Sequence, residues 1–393
     1  MYYENEMGGI SMKYMVCILL SVALFTCFVY AEPSTQVDTD IATQLVKGES
    51  GILMEAESGE VLYEWNPDKK LPIASVTKTM TMLLIMEALD SGKIRLEDMV
   101  TTSETAASMG GSQVFLEVGE QMSVEDMLKA VVVASGNDAA VAMAEHIAGT
   151  HETFVEKMNR RAQELGCENT HFINCNGLDE TEEHYSTARD IAKISRELLK
   201  HPKILDYTTI WMDTLRNGQF GLSNTNKLIR FYKGANGLKT GSTSTAKYCL
   251  SATAQRDGMQ LIAVVLAAPS TQERFSSASS LLDYGFANYE VGGKEGLNLH
   301  PIPVNGGTSV SVMPEAENTC FIVKKGNKDK VETKLELPDA VGAPIKQGEP
   351  LGEVIFTIDG EEVARRPIVA RESVERINLL QMYVRMLGKW VQL

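Results

Sequence analysis

Three short words stand in order along this chain, Ser75-Val76-Thr77-Lys78, Ser135-Gly136-Asn137 and Lys239-Thr240-Gly241. Together they constrain the fold most, because a serine acyl-transfer site needs a nucleophile, a base and their positioning groups drawn from separate elements to one place. Each word is weak alone. Ser-x-x-Lys arises by chance roughly once or twice in a chain this long, and a second copy stands at Ser244-Thr245-Ala246-Lys247. Context separates the two copies. Ser75 follows the turn-like Leu71-Pro72-Ile73-Ala74 and opens the apolar run Met80 to Leu89, which predicts a long buried helix over 75–90. The copy at Ser244 lies in a polar loop before a strand.

At 393 residues, with 44% hydrophobic and 23% charged residues, the chain predicts two globular domains. Its formal charge of -15 repels phosphate backbones and argues against nucleic-acid binding. Lys13 precedes an apolar stretch from Tyr14 to Tyr30, and Val29-Tyr30-Ala31 offers the small residues a signal peptidase requires. A signal peptide over 1–31 and export follow from that reading, with an uncleaved anchor of borderline length as its alternative. Residues 1–11 are acidic, which suits a start at Met12 better than one at Met1. Cys17 and Cys27 fall in the signal. Cys167, Cys175, Cys249 and Cys320 have no C-x-x-C spacing, so they read as free and partly buried, with a Cys167–Cys175 bridge as the alternative.

Ser58-Gly59 joins strands Gly51-Ile52-Leu53-Met54 and Val61-Leu62-Tyr63-Glu64-Trp65. Apolar spacing of three and four predicts helices over 75–90, 123–134, 138–148, 152–165 and 187–200. Strands over 248–255 and 259–267 meet at the hairpin dipeptide Asp257-Gly258, and a helix over 272–289 closes the unit. The fold class is α+β, with one sheet assembled from distant segments and covered by helices. After Gly292-Gly293, alternation at 308–312, 331–337 and 354–358, with Asp359-Gly360 as a turn, predicts a small all-β domain ending near Ala370. The domains are therefore 32–291 and 292–370. Over 371–393, Val374, Ile377, Leu380, Val384, Leu387 and Val391 form one stripe of an amphipathic helix, suited to the plane of a membrane surface or to packing on protein.

A serine hydroxyl is a poor nucleophile until a base takes its proton. Lys78, three residues on, can supply an amine beside Ser75, provided burial and a nearby cation such as Lys239 lower its pKa. Read alone, Ser75 is a helix cap and Lys78 a solvated side chain. Ser135-Gly136-Asn137 falls in the break between two predicted helices, where a C-capping glycine and a polar loop are ordinary. In a site, Ser135 could relay a proton while Asn137 holds a substrate amide and Lys78. Lys239 and Thr240 can hold a carboxylate, and Gly241 lets a substrate backbone approach a strand edge.

These words are the motif set of class A β-lactamases and penicillin-binding proteins, and the chain resembles that superfamily. More closely, it resembles the low-molecular-mass penicillin-binding proteins that are serine-type D-alanyl-D-alanine carboxypeptidases. Pro72 to Lys78, Ala134 to Ala139, Thr170-His171-Phe172, Asn176-Gly177-Leu178, Asn224-Thr225-Asn226 and Gly237 to Gly241 carry the likeness, with the signal, the β domain and the final helix. Departures are Cys175, where many relatives have proline, and Ser242, where some have histidine. The resemblance implies a β-lactamase/transpeptidase-like domain in which Ser75 attacks the penultimate D-alanine of a peptidoglycan stem peptide and Lys78 is the base. It implies an oxyanion hole from the N–H groups of Ser75 and Ser242, carboxylate binding by Lys239 and Thr240 beside Gly241, and assistance from Ser135 and Asn137. β-Lactams are then covalent inhibitors, no cofactor or metal is required, and the enzyme sits at the outer face of the cytoplasmic membrane, held there by its last helix. His146 and His171 read as structural. A β-lactamase would need a deacylating glutamate in an E-x-x-L-N segment, which the sequence lacks; a non-catalytic receptor would not need all three words intact.

Overall fold

The computed structural model describes residues 45–178, 181–293, 297–316 and 319–391, with side chains as far as Arg385. The expected signal peptide, with Cys17 and Cys27, lies outside the described residues. The central sheet contains β1 (Ser50–Glu55), β2 (Val61–Trp65), β7 (Ala235–Thr243), β8 (Lys247–Arg256) and β9 (Met259–Ala268) in the order β2-β1-β9-β8-β7, all antiparallel. The near-continuous apolar run of β9 makes sense because helices cover both faces. Ile52, Met54, Ile262, Val264 and Leu266 enter one core, while Leu53, Leu261, Ala263 and Val265 enter the other. Burial of such side chains stabilises the fold by roughly 1.5–3 kcal/mol each.

The first core is shared by α1 (Lys78–Asp90), α2 (Val124–Val132), α3 (Asn137–Ala148), α4 (His151–Glu164) and α5 (Ala188–Leu199). The second is closed by α6 (Thr271–Asn288) through Ala278, Leu281, Leu282 and Phe286. Helix α1 is apolar nearly all round and correspondingly buried: Met80, Met82, Leu83, Ile85 and Met86 are 0% exposed. Two expected helices begin one residue late because their first residue is the cap. The hydroxyls of Ser123 and Thr187 accept from the backbone N–H groups of Asp126 and Asp190, each worth about 1 kcal/mol. Two short ladders escaped the sequence reading, β3 (Met99–Thr101) with β4 (Gln121–Ser123), and β5 (Met212–Leu215) with β6 (Phe220–Ser223).

A smaller β domain follows. It holds β10 (Tyr289–Val291) paired with β14 (Ile322–Lys324), the sheet β12-β11-β16 (Ser311–Val312, Ile302–Asn305, Val341–Gly342), and the sheet β13-β18-β17-β15 (Pro314–Ala316, Glu361–Ala370, Pro350–Ile358, Val331–Glu336). Its inner cluster contains Phe321, Val323, Val331, Val354, Phe356 and Ile368. The expected strand at 308–312 shrinks to Ser311–Val312, and Val310 is 67% exposed. The stretch expected to open the last helix is also different. Val374 is buried in the β domain and exchanges both backbone hydrogen bonds with Ile345, so its apolar side chain serves a β core instead of a helical stripe. The final helix, α7, runs Leu379–Val391. Asn378 Oδ1 accepts from the N–H of Gln381 at 2.9 Å and Gln381 Oε1 accepts from the N–H of Asn378 at 3.1 Å, a reciprocal capping box that sets this start.

Candidate active site

The run from Ala74 to Thr77 is a 3-10 turn, and the α-helix begins only at Lys78. This corrects the expectation of a single helix from Ser75, and it has a geometric effect. With three residues per turn, positions i and i+3 eclipse, so Lys78 lies directly over Ser75. Ala74, in the left-handed region at φ 47, turns the chain into that position.

Lys78 is 0% exposed. Its Nζ stands 3.0 Å from Ser75 Oγ, and it donates to Asn137 Oδ1 at 2.6 Å and to the carbonyl of Asn176 at 2.8 Å. Burial is the largest influence on the amine and lowers its pKa to about 7, while Cys175 and Asp138 push it back up. Of the two expected causes, burial acts on Lys78, and Lys239 is not among the influences on it. Lys239 is itself driven well below the usual lysine range by burial, then by the positive charges of Lys78 and Arg274.

Asn137 is seated from behind. Its N–H donates to Ser112 O at 2.7 Å and its Nδ2 donates to Gly110 O at 2.7 Å. Next to it, the Asp138 carboxylate accepts from the N–H groups of Val114 at 3.0 Å and Leu116 at 3.1 Å, so residues 110–116 are tied to the start of α3. Ser135 is buried in the break between α2 and α3. The left-handed position of that break is Ser135, at φ 61, whereas Gly136 has φ -53. The glycine is therefore not the C-cap the sequence suggested; a Cβ on it would stand 3.0 Å from Asp138 Oδ1.

Strand β7 brings the third word to the same place. A Cβ on Gly241 would stand 2.7 Å from Ile73 O and 2.9 Å from the backbone nitrogens of both Ser75 and Val76. Gly241 is thus required for the strand to lie against the Ser75 turn, a different reason from approach by a substrate. Lys239 and Thr240 are buried at 1% and 6% exposure, with Lys239 Nζ donating to Thr240 O at 3.0 Å and Thr240 Oγ1 donating to Thr225 Oγ1 at 2.7 Å. Ser242 is exposed, one residue beyond the contact with Ser75 N. The second Ser-x-x-Lys copy lies at the β7–β8 connection, where Lys247 pairs with Glu49 at 2.6 Å.

Three contributors were not among the expected site residues. The Asn176 carbonyl reaches Lys78, from a loop that packs so closely that a Cβ on Gly177 would stand 1.9 Å from Ala74 O. Buried Arg274 donates from Nη1 to the carbonyls of Gly241 at 3.2 Å and Cys249 at 3.3 Å, behind β7. Buried His184 contacts Thr77. Only Asn176-Gly177, a turn-forming pair, carried a local sequence signal. The four described cysteines are buried and none is in a disulfide, so no Cys167–Cys175 bridge forms.

Known proteins share this architecture. The family description D-alanyl-D-alanine carboxypeptidase matches residues 36–270, and that of the penicillin-binding protein 5 C-terminal domain matches residues 294–376. The D-alanyl-D-alanine carboxypeptidase DacF of Bacillus subtilis (strain 168) is 44% identical over 353 residues, 88% of this chain and 90% of the relative. Penicillin binding protein 5 from Haemophilus influenzae superposes with a TM-score of 0.73 at 34% identity, covering 84% of this chain and 98% of that one. Penicillin-Binding Protein D2 from Listeria monocytogenes, solved in an ampicillin-bound form, gives 0.56 at 32% identity over 61% of this chain and 98% of that one. Since the match extends through the catalytic and the β domain alike, the chain belongs to the D-alanyl-D-alanine carboxypeptidase family of penicillin-binding proteins.

Proposed function

We propose that this protein is a serine D-alanyl-D-alanine carboxypeptidase that removes the terminal D-alanine from peptidoglycan stem peptides through an acyl-enzyme on Ser75. One observation carries the reading: the arrangement of partners around Lys78 Nζ. A neutral amine has two N–H bonds and one lone pair. Asn137 Oδ1 and the Asn176 carbonyl can only accept, so they take the two N–H bonds, and the lone pair is left for the Ser75 hydroxyl at 3.0 Å. A pKa of about 7 keeps much of the amine in that form.

Ser75 Oγ then attacks the carbonyl carbon of the penultimate D-alanine as Lys78 takes its proton. The N–H groups of Ser75 and Ser242 hold the developing oxyanion. Lys239 and Thr240 bind the terminal carboxylate, whose charge favours the protonated form of Lys239. Asn137 positions the substrate amide, and Ser135 relays the proton to the departing amine. D-Alanine leaves, and water hydrolyses the acyl-enzyme. A strained β-lactam ring enters the same route and stays attached, a reading supported by the likeness to the ampicillin-bound Listeria protein.

The two-domain division at 291/292, export behind a signal over 1–31, and attachment to the outer face of the cytoplasmic membrane through the C-terminal helix belong to the same proposal. Exposed Leu379, Leu380, Met382, Tyr383 and Val384 support the membrane reading.

The test is mass spectrometry of a stem peptide ending in D-Ala-D-Ala. Loss of one alanine by the wild type, abolished in Ser75→Ala together with the penicilloyl adduct, is the expected result. Rapid penicillin turnover without alanine release would make the protein a β-lactamase, and binding without either reaction would make it a receptor.

A further inference from the structure

We infer that His184 is a positioning residue for the reaction proposed above, on which this inference rests: acting through Thr77, it holds the turn that carries Ser75 against the loop that receives Lys78. His184 is 2% exposed and Thr77 is 0% exposed. The backbone N–H of Ile173 donates to His184 Nδ1 at 3.2 Å. A backbone N–H can only donate, so Nδ1 carries a lone pair and the neutral ring carries its proton on Nε2. That proton meets Thr77 Oγ1 at 2.7 Å, and the Thr77 hydroxyl donates in turn to the carbonyl of Ala74 at 2.8 Å. Every atom along this path has one compatible role. The ring's orientation is further set by Phe172, edge-to-face at 5.9 Å.

The two ends of the path hold the two sides of the Ser75–Lys78 pair. One end is Ala74, the left-handed residue at φ 47 immediately before Ser75. Such a conformation is strained for a residue with a side chain and persists only where its surroundings hold it. The other end is Ile173, first residue of the loop whose Asn174 Oδ1 accepts from Gly177 N at 2.6 Å and whose Asn176 carbonyl takes an N–H of Lys78 at 2.8 Å. Gly177 lies between them: a Cβ there would stand 1.9 Å from Ala74 O and 2.8 Å from Thr77 Oγ1. His184 thus spans the loop that orients the base and the turn that orients the nucleophile, and touches neither reacting atom. Loss of the Thr77 hydroxyl leaves the Ala74 carbonyl and the His184 N–H buried without this partner, and the turn free to shift relative to Lys78.

The experiment measures the limiting acylation rate and the half-saturating concentration with a labelled penicillin, using the full chain and the variants Thr77→Val, Thr77→Ser, His184→Gln and His184→Asn. Thermal unfolding of each is followed in parallel. Thr77→Val, equal in shape but without the hydroxyl, should lower the limiting rate about 10- to 100-fold with half-saturation changed by less than about twofold, the pattern of misplaced reacting groups. Thr77→Ser should remain within about threefold of wild type, because it keeps the hydroxyl. His184→Gln, which can donate where Nε2 does, should acylate faster than His184→Asn, which cannot reach Thr77. Equal rates for Thr77→Val and Thr77→Ser, or a loss wholly in half-saturation, would overturn the inference. Should Thr77→Val not fold, the His184 pair decides it: Gln faster than Asn sustains it, and equal rates overturn it. Failure of the underlying reading looks different: the wild type would then release no D-alanine from the stem peptide, or release would survive Ser75→Ala.

Discussion

At Lys78 a buried amine sits among two acceptors and one hydroxyl, and its protonation state governs the site. Burial lowers its pKa to about 7. Above that value the amine is neutral and can take the Ser75 proton; below it, the ammonium has no lone pair to offer. The limiting acylation rate should therefore rise about tenfold per pH unit from the acid side and level off above about pH 7. Stopped-flow acylation between roughly pH 5 and 9 at saturating penicillin checks this, and a rate independent of pH would remove Lys78 from the role of base. Cys175, one of the groups that push the amine upward, is a buried thiol pushed up to about 12, so it is neutral at physiological pH and Asp138 remains as the opposing charge. None of this balance is visible in the words themselves. Ser75-x-x-Lys78 specifies residue types, whereas the pKa depends on what buries Lys78, and the contributors at Asn137 and Asn176 lie 59 and 98 residues away.

Elements meet here by close approach, and glycines permit it. At Gly241, β7 lies against the 3-10 turn with no room for a methyl group beside the Ser75 and Val76 nitrogens. Gly241→Ala should push the strand off the turn and lower the acylation rate by roughly 10²-fold. Its effect on stability, read from urea unfolding, should be a loss of about 1–3 kcal/mol. Helix positions were legible at this scale, because caps such as Ser123 and Thr187 precede strongly periodic segments. The β5–β6 ladder was not. Its short strands lack a continuous alternation, so the hairpin dipeptide Asn217-Gly218 at its connection had no flanking strand pattern to join, and Arg216, which also takes positive φ there, gives no such signal. The start of α7 carried a legible signal in Asn378 and Gln381, but the apolar spacing from Val374 onward matched a helical stripe and concealed it.

For the whole molecule, two cores on opposite faces of one sheet hold the three words together, and the β domain continues from α6 through the β10–β14 pair. Among the described residues no helix is long and apolar enough to cross a membrane. Attachment through α7 would then be interfacial, with Leu379, Leu380 and Val384 as the apolar contribution. A chain ending at Asn378 should lose co-sedimentation with vesicles containing anionic lipid and keep its penicillin acylation rate within about twofold, since Arg385 of α7 donates to the carbonyls of Gly307 and Thr308 in the β domain and no Ser75-site contact described above involves this helix. Equal sedimentation of the two chains would place the membrane contact elsewhere.

What the sequence determined by itself was the set of chemical groups and the fold class. Periodicity, caps and turn dipeptides are local, and the three words in order marked which residues to bring together. What only the tertiary structure decided was how those groups behave. The eclipsed 3-10 turn at Ser75, the neutral-leaning Lys78, the exclusion of any side chain at Gly241 and the His184–Thr77–Ala74 connection all arise from packing between segments far apart in the chain. A lysine's charge and a backbone's strain are set by neighbours in space, and no run of adjacent letters encodes them.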